Sequence, residues 1–240
     1  MEVYYITGTS KGIGKALAEK LLQQGHSVIG IARTCTISHS NYRHYYLDLA
    51  DTSAVANFTF TETTNCDKIV LINNAGALGE IKYVGNLSAK SIVETYHVNL
   101  VSPVILTNTF IETYRNTSAK KIILNISSGA ARNEYDGWSL YCSSKSSIDM
   151  FSRATLCEQN ITNEGFKVLA VAPGIIETDM QKTIRSTNPS QFSMHEKFIE
   201  SHNAGILKTP TSVAIELVEL LNNSENIHEA VIDLRTFQAK

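Results

Sequence analysis

The chain has little net charge, few cysteines and no long apolar run, and each shortage excludes a class of protein. Its 240 residues carry a formal charge of −2, so no overall basic field favours binding to nucleic acid or to an anionic membrane. Residues 3–6 already read as a strand, with no charged and then apolar leader before them, and no apolar run is long enough to span a membrane. We therefore expect a cytoplasmic protein that binds neither nucleic acid nor membranes.

Cysteine is scarce and scattered. Cys35, Cys66, Cys142 and Cys157 are far apart and form no C-x-x-C pair. Such spacing favours free thiols in a reducing compartment and offers no recognisable set of metal ligands. The sequence therefore predicts no metal site.

Short apolar segments alternate with longer amphipathic ones along the whole chain. Seven segments rich in Val, Ile and Tyr predict strands at residues 3–7, 27–32, 44–47, 68–72, 121–126, 167–171 and 230–234. Helical spacing predicts helices over residues 13–24, 88–114, 139–163 and 211–221. No repeat or Pro/Gly-rich linker divides the chain. The pattern predicts an α/β fold, a single doubly wound Rossmann-type parallel sheet flanked by helices, with residues 1–240 forming one domain.

The connection between the second and third strands is unusually short. About a dozen residues separate them, too few for the full crossover helix that a parallel pair normally uses. We expect a trimmed or irregular connection on that edge of the sheet.

A glycine-rich loop follows the first strand and opens the first helix. Residues 7–14 read TGTSKGIG, a spacing that differs from the commonest dinucleotide fingerprint, G-x-G-x-x-G. Glycine lets the backbone turn sharply and approach a pyrophosphate, and a helix N-terminus offers free N–H groups. The glycines could be a structural turn alone, but their position favours a nucleotide site. The predicted contacts are Gly8, Ser10, Lys11, Gly12, Ile13 and Gly14.

The end of the second strand predicts which nicotinamide cofactor binds. An acidic residue there would bind the ribose 2′-hydroxyl, whereas an arginine accommodates a 2′-phosphate. The strand ends in Arg33 without a carboxylate, and Lys11 adds a second cation. Both could be solvated surface residues, but their positions favour NADP(H) over NAD(H).

Polar residues also follow the third and fourth strands. Asp48 and Leu49 come after strand three, and Asn74, Ala75 and Gly76 after strand four. Ligands bind at such strand ends in open α/β sheets. Asp48 could instead cap the next helix, and the consecutive residues Asn73 and Asn74 could form an ordinary turn.

The spacing of three residues predicts that the protein reduces a carbonyl group. Ser128 follows the fifth strand, and Tyr141 and Lys145 occupy one face of the next helix at i,i+4 spacing. A carbonyl that accepts a hydride needs a proton, which a tyrosine can supply if a nearby ammonium and the oxidised nicotinamide lower its pKa. A serine hydroxyl can hold the substrate oxygen.

With these motifs the chain resembles the short-chain dehydrogenases/reductases over nearly its whole length. Further matching residues are Asn99, Pro173, Gly174 and Thr178. The resemblance implies that Lys145 binds the nicotinamide ribose and that Asn99 holds a water that links Lys145 to a proton relay; Asn99 could instead make a structural bond within its helix. It implies cofactor contacts for Tyr141 as well, and for the segment of Pro173, Gly174, Ile176 and Thr178.

Within this family the chain is similar to sepiapterin reductases and bacterial benzil reductases. The segments GWSLYC at residues 137–142 and PGIIETDMQ at residues 173–181 look like theirs. The resemblance implies that Asp233 anchors substrate, although an aspartate after a strand is as often a cap or a surface residue. Trp138 is a candidate for the pocket wall, and residues 179–205 form an insertion that closes over the substrate in the family.

The two long helices over residues 88–114 and 139–163 exceed what one crossover needs. Relatives use this pair to build a two-fold dimer interface, so a homodimer is expected.

The sequence thus predicts an NADPH-dependent reductase that acts on a small-molecule ketone or diketone, with Tyr141 as proton donor. Two alternatives stay open: an NAD(P)-linked alcohol dehydrogenase of another substrate class, and a non-catalytic dinucleotide-sensing protein.

Overall fold

Seven parallel strands dominate the computed structural model, which describes residues 2–61 and 66–237. Residues 1, 62–65 and 238–240 of the predicted domain lie outside the described residues. The strands are β1 Glu2–Thr7, β2 Ser27–Ala32, β3 Tyr42–Tyr46, β4 Lys68–Asn73, β5 Lys120–Ile126, β6 Phe166–Ala172 and β7 Val231–Asp233. In the described part they form one sheet in the order β3-β2-β1-β4-β5-β6-β7. The predicted Rossmann-type sheet is confirmed.

Helices connect the strands. They are α1 Gly12–Gln23, α2 Thr52–Ala56, α3 Ala89–Tyr96, α4 Ser102–Tyr114, α5 Ser139–Thr162, α6 Asp179–Arg185, α7 His195–Asn203 and α8 Pro210–Asn222. The predicted single helix over residues 88–114 is two α-helices joined by a π turn at His97–Val101. Apolar periodicity carries no signal for that turn. Among the described helices, none is long and apolar enough to cross a membrane.

The apolar core lies on both faces of the sheet because neighbouring strand residues point to opposite sides. Tyr4 and Ile6 of β1 pack with Leu17 of α1 and Leu217 of α8 on one face. Tyr5 packs on the other face, in a cluster that includes the fully buried Phe110 of α4. A buried side chain of this size contributes about 1.5–3 kcal/mol, so the two clusters hold the helices against the sheet.

The β2–β3 connection has the trimmed form that its length predicts. Residues 33–41 contain no helix, and β3 begins at Tyr42, two residues earlier than the sequence pattern indicates. The missing crossover helix leaves β3 partly exposed at the edge of the sheet.

The chain order reverses between β1 and β4. From β1 the sheet grows outwards through β2 and β3, and then from β4 in the opposite direction. The loops after the carboxyl ends diverge at this point and leave a crevice, the usual ligand position in doubly wound sheets.

Candidate active site

A cavity of about 1000 Å³ occupies this crevice. Most of the residues predicted from sequence line it: Gly8, Ser10, Lys11, Gly12, Ile13, Arg33, Asp48, Leu49, Asn74, Ala75, Gly76, Ser128, Trp138, Tyr141, Lys145, Pro173, Gly174, Ile176 and Thr178. Gly14, Asn99 and Asp233 are not among the lining residues of the described chain. The cavity therefore joins the predicted cofactor residues to the predicted catalytic ones.

The glycine loop is closely packed against the loop that follows β4. A Cβ at Gly14 would lie 2.3 Å from Asn74 Nδ2 and 2.4 Å from the Gly8 carbonyl oxygen. Gly8 has a φ of +75° and its N–H donates to Ile31 O at 2.8 Å, a conformation that favours glycine. The lack of a side chain at Gly14 thus lets Asn74 and the Gly8 carbonyl group approach the start of α1, although Gly14 does not line the cavity.

Asn74 holds this loop in place. Its Nδ2 donates to the carbonyl oxygens of Thr7 at 2.9 Å and Gly8 at 3.3 Å. In return, Thr7 Oγ1 accepts hydrogen bonds from the backbone N–H groups of Asn74 at 2.9 Å and Ala75 at 3.0 Å. The segment is therefore more than an ordinary turn, because it joins the ends of β1 and β4.

The loop has the features that a dinucleotide pyrophosphate requires. Side chains at Gly8, Gly12 or Gly14 would narrow the space beside the helix, and the side chain of the N-cap residue Lys11 makes no capping hydrogen bond to α1. First-turn N–H groups of a helix bind anions, helped by the helix dipole. The residues present thus fit a nicotinamide dinucleotide.

Charged side chains surround the mouth of the cofactor end. The Arg33 side chain is 77% exposed, with Nη1 4.0 Å from Asp48 Oδ2. Lys11 Nζ lies 2.9 Å from Asp179 Oδ2, an exposed pair that contributes little to stability and can exchange for another anion. Asp48 Oδ1 accepts from Ala50 N, whereas Asp51 caps α2. The alternative interpretation of Asp48 as the helix cap is wrong.

Ser128 and Tyr141 meet at the other end of the cavity. Ser128 follows β5 in extended conformation, and its Oγ accepts from Ala130 N at 3.1 Å. Tyr141 lies in the first turn of α5. Burial raises the pKa of the Tyr141 phenol, and a hydrogen bond with Ser128 opposes that rise. Lys145 does not contribute to this shift, so the lowering of the Tyr141 pKa that the sequence predicts is not seen in the protein alone.

Lys145 lies one turn further along α5 and is almost fully buried. Its Nζ donates to Ile126 O at 2.7 Å and is 5.8 Å from the centroid of the Tyr141 ring. Burial lowers the pKa of Lys145 to about 8, while the negative charge of Asp149 acts in the opposite direction. The ammonium is therefore close to its titration point near neutral pH.

Asp149 is a site residue that sequence reasoning missed. It is buried one turn beyond Lys145, and Ser127 Oγ donates to its Oδ1 at 2.5 Å. Burial raises the pKa of the Asp149 carboxyl, whereas Ser127 and nearby cations lower it. Its i,i+4 spacing from Lys145 was the signal in the sequence that could have identified it.

Asn99 lies in the π turn and bonds outside its own helix. Its Nδ2 donates to Ala77 O at 2.7 Å and to Ser144 Oγ at 2.9 Å, and its Oδ1 accepts from Ala77 N at 2.7 Å. A Cβ at Gly76 would be 3.6 Å from both Asn99 Oδ1 and Lys145 Nζ. Asn99 thus connects the β4 loop to α5 beside Lys145. Its role in a water relay stays a prediction.

The substrate end has an aromatic wall. Trp138 stacks on Phe192 with ring centroids 5.0 Å apart, and it meets Tyr141 edge-on at 5.9 Å. Phe192 is fully buried, and Phe198 of α7 packs against both rings. Residues 179–205 therefore border this end of the cavity through an apolar cluster that they share with Trp138 and Tyr141.

Asp233 is held by an arginine that the sequence analysis did not name. Both Asp233 carboxylate oxygens accept hydrogen bonds from Arg235, and Arg235 lines the cavity. The prediction that Asp233 anchors substrate stays untested, but its carboxylate is already paired.

Comparisons with known proteins agree with this fold. The family model described as short chain dehydrogenase matches residues 2–189. A benzil reductase ((S)-benzoin forming) from Bacillus subtilis is 36% identical over 243 aligned positions, which cover 99% of this chain and all of the relative. A sepiapterin reductase from Xenopus laevis is 28% identical over 199 positions, 74% of each chain. A short chain dehydrogenase/reductase structure from Saccharomyces cerevisiae aligns with a TM-score of 0.83 at 23% identity, covering 98% of this chain and 96% of that one.

The fold and the cavity define a nicotinamide-dinucleotide-dependent oxidoreductase. The chain belongs to the short-chain dehydrogenase/reductase family.

Proposed function

We propose that the protein is an NADPH-dependent reductase of ketones and diketones in which Tyr141 donates the proton. The observation that carries the proposal is the meeting of Ser128, Tyr141 and Lys145 in the cavity whose other end is formed by the glycine loop. The names of the benzil and sepiapterin reductases to which the chain is similar support a carbonyl substrate.

Each residue near the reacting carbonyl has a defined task in this proposal. When bound, the reduced nicotinamide supplies a hydride to the carbonyl carbon. Ser128 holds the carbonyl oxygen through its hydroxyl, and Tyr141 gives that oxygen its phenolic proton. The Lys145 ammonium, charged below about pH 8, stabilises the phenolate that remains. Burial of Tyr141 keeps water from competing for the proton.

The cofactor would be held along the length of the crevice. The glycine loop and the N-terminus of α1 suit the pyrophosphate, and Lys145 and Thr178 lie at the nicotinamide end of the proposed arrangement. Arg33 supports the 2′-phosphate of NADPH over the 2′-hydroxyl of NADH, since β2 is followed by a cation and not a carboxylate.

Replacement of Tyr141 by phenylalanine tests the mechanism. Tyr141→Phe keeps the buried ring and removes the proton donor, so NADPH oxidation with benzil should fall by about 10²- to 10⁴-fold. NADPH affinity, measured by fluorescence titration, should stay within about twofold, because most contacts with the cofactor are unchanged.

Tyr46→Phe is a matched control, since Tyr46 is exposed on β3 and is not among the described residues that line the cavity. It should leave both measurements unchanged. Full turnover in Tyr141→Phe would refute the mechanism. A substrate panel of benzil, sepiapterin, simple ketones and quinones tests the substrate class, and a preference for small aliphatic ketones would contradict it.

A further inference from the structure

Three charged side chains meet beyond the end of β7. Arg235 Nε donates to Asp233 Oδ1 at 2.9 Å, and Arg235 Nη2 donates to Asp233 Oδ2 at 2.6 Å. Arg132 Nη2 lies 3.9 Å from the same Oδ2. The Asp233 side chain is only 14% exposed, so its carboxylate is largely buried and holds the guanidinium of Arg235 in place. A two-point contact of this kind sets the plane of a guanidinium.

Arg235 lines the cavity beside the segment that follows β6. Asp233 pairs with Ala172 across the β6–β7 ladder, and the next residue donates its N–H to Ala172 O at 3.0 Å. The Cγ and Cδ atoms of Arg235 lie 3.7 and 3.8 Å from where a Cβ of Gly174 would be. The side chain thus crosses the segment after β6, and it shares the cavity with Ser128 and Tyr141.

Two other acidic residues on the cavity are bound by cations of their own. Glu177 is bound by Arg185 and His202, and Asp179 is bound by Lys11 and Lys182. Two arginines, Arg132 and Arg235, face the carboxylate of Asp233, and Arg132 also interacts with Asp149.

Asp233 does not use all the donors of Arg235. Nε–H and one N–H of Nη2 bind Asp233, and among the described residues Nη1 has no hydrogen-bond partner. The side chain is 59% exposed. Guanidinium has donors only and is always charged, so this nitrogen selects an acceptor oxygen in the ligand.

We propose that Arg235, oriented by Asp233, is a specificity-determining residue that favours substrates with a second oxygen acceptor on the carbon next to the reacting carbonyl, as in a 1,2-diketone. This rests on the proposed function, because one oxygen must occupy the position served by Ser128 and Tyr141. The second oxygen accepts from Arg235 Nη1. The same geometry takes Asp233 out of direct substrate contact and gives it a positioning role.

A pair of matched substrates tests the proposal. Benzil carries two adjacent carbonyls, and benzyl phenyl ketone has the same two rings with one carbonyl replaced by a methylene. The quantity to measure is the ratio of kcat/KM for the two substrates with NADPH, compared between wild type and variants, so that their different intrinsic reactivities cancel. In Arg235→Met this ratio should fall about 10- to 100-fold, the range for a hydrogen bond from a charged donor.

Arg132→Met is the matched control, because Arg132 also faces Asp233 but is not among the described cavity-lining residues. Its ratio should stay within about threefold of wild type. Arg235→Leu, which also lacks a donor, serves as a second variant if Arg235→Met folds poorly, and thermal melting with NADPH titration checks both proteins.

An unchanged ratio in the Arg235 variants would overturn the proposal, and so would an equal loss of activity on both ketones, which would indicate a structural role. Two other results would contradict the proposed function and not the role of Arg235. In one, wild type would reduce neither ketone; in the other, Tyr141→Phe would retain full activity.

Discussion

The two ends of the cavity are built in different ways. At the cofactor end, backbone atoms of the glycine loop form the surface, and Asn74 and Thr7 fix them with four hydrogen bonds at 2.9–3.3 Å. At the substrate end, the surface consists of side chains, such as Trp138 against Phe192 and Arg235 against Asp233. A backbone surface depends on the space around glycines, whereas a side-chain surface changes with each residue.

Because of this difference, substitutions at the two ends of the cavity should have different effects on activity. A substitution in the glycine loop moves the backbone, so we expect it to weaken cofactor binding and to lower activity with every substrate. A substitution at the substrate end leaves the loop intact, so we expect it to alter the choice of substrate with little effect on the cofactor. Variants at each end can confirm or break this division.

The largest effect is expected from Gly14→Ala. The added Cβ would lie 2.3 Å from Asn74 Nδ2 and 2.4 Å from the Gly8 carbonyl oxygen, and a backbone atom cannot move away without displacing the loop. NADPH affinity, measured by fluorescence titration, should fall at least about 100-fold, or about 2.8 kcal/mol.

Gly129→Ala is the control at the substrate end, since a Cβ at Gly129 meets nothing within 4 Å. Its NADPH affinity should stay within about twofold of wild type. Equal losses in the two variants would break the division between the two ends.

A smaller effect is expected from Arg33→Asp. The change removes the cation proposed for the 2′-phosphate and adds the carboxylate that suits a ribose diol. The ratio of kcat/KM for NADPH over NADH should fall about 10- to 100-fold. Arg43→Asp makes the same charge change on exposed β3 and should leave the ratio within about twofold. If Arg33→Asp keeps the wild-type ratio, NADP selectivity does not come from this position.

The smallest effect is expected from Asp149→Asn, which tests whether the charge of Asp149 raises the pKa of Lys145. Lys145 is cationic below its pKa of about 8, and the charge of Asp149 raises that pKa. Without this charge the pKa falls, so the alkaline limb of the kcat/KM profile should move to lower pH. Activity should match wild type at pH 6 and be roughly two- to threefold lower at pH 8.

Asp51→Asn is the control for this profile, because asparagine can still cap α2. Its pH profile should coincide with that of wild type. A shift of the Asp149→Asn limb to higher pH would contradict the assigned direction.

Much of the cofactor end could be predicted from sequence because its residues are close together in short motifs. The seven strands, the glycine loop and the i,i+4 pair of Tyr141 and Lys145 each follow from local spacing. Arg235 could not be found in this way, because its position depends on β7 lying beside β6. Nor could the raised pKa of Tyr141 be predicted, since its burial is set by tertiary packing in a cluster that includes Trp138, Phe192 and Phe198.

The π turn at His97–Val101 makes the length of its segment as important as its composition. An α-helix rotates by about 100° per residue, and a π turn accommodates one residue more than a regular turn. Deleting a residue here would regularise the turn and leave α3 and α4 in nearly the same phase, so Phe110 would still face the sheet. The residues within the turn would change place, and Asn99 could no longer reach both Ala77 and Ser144. The extra residue therefore serves the position of Asn99 and not the packing of α4.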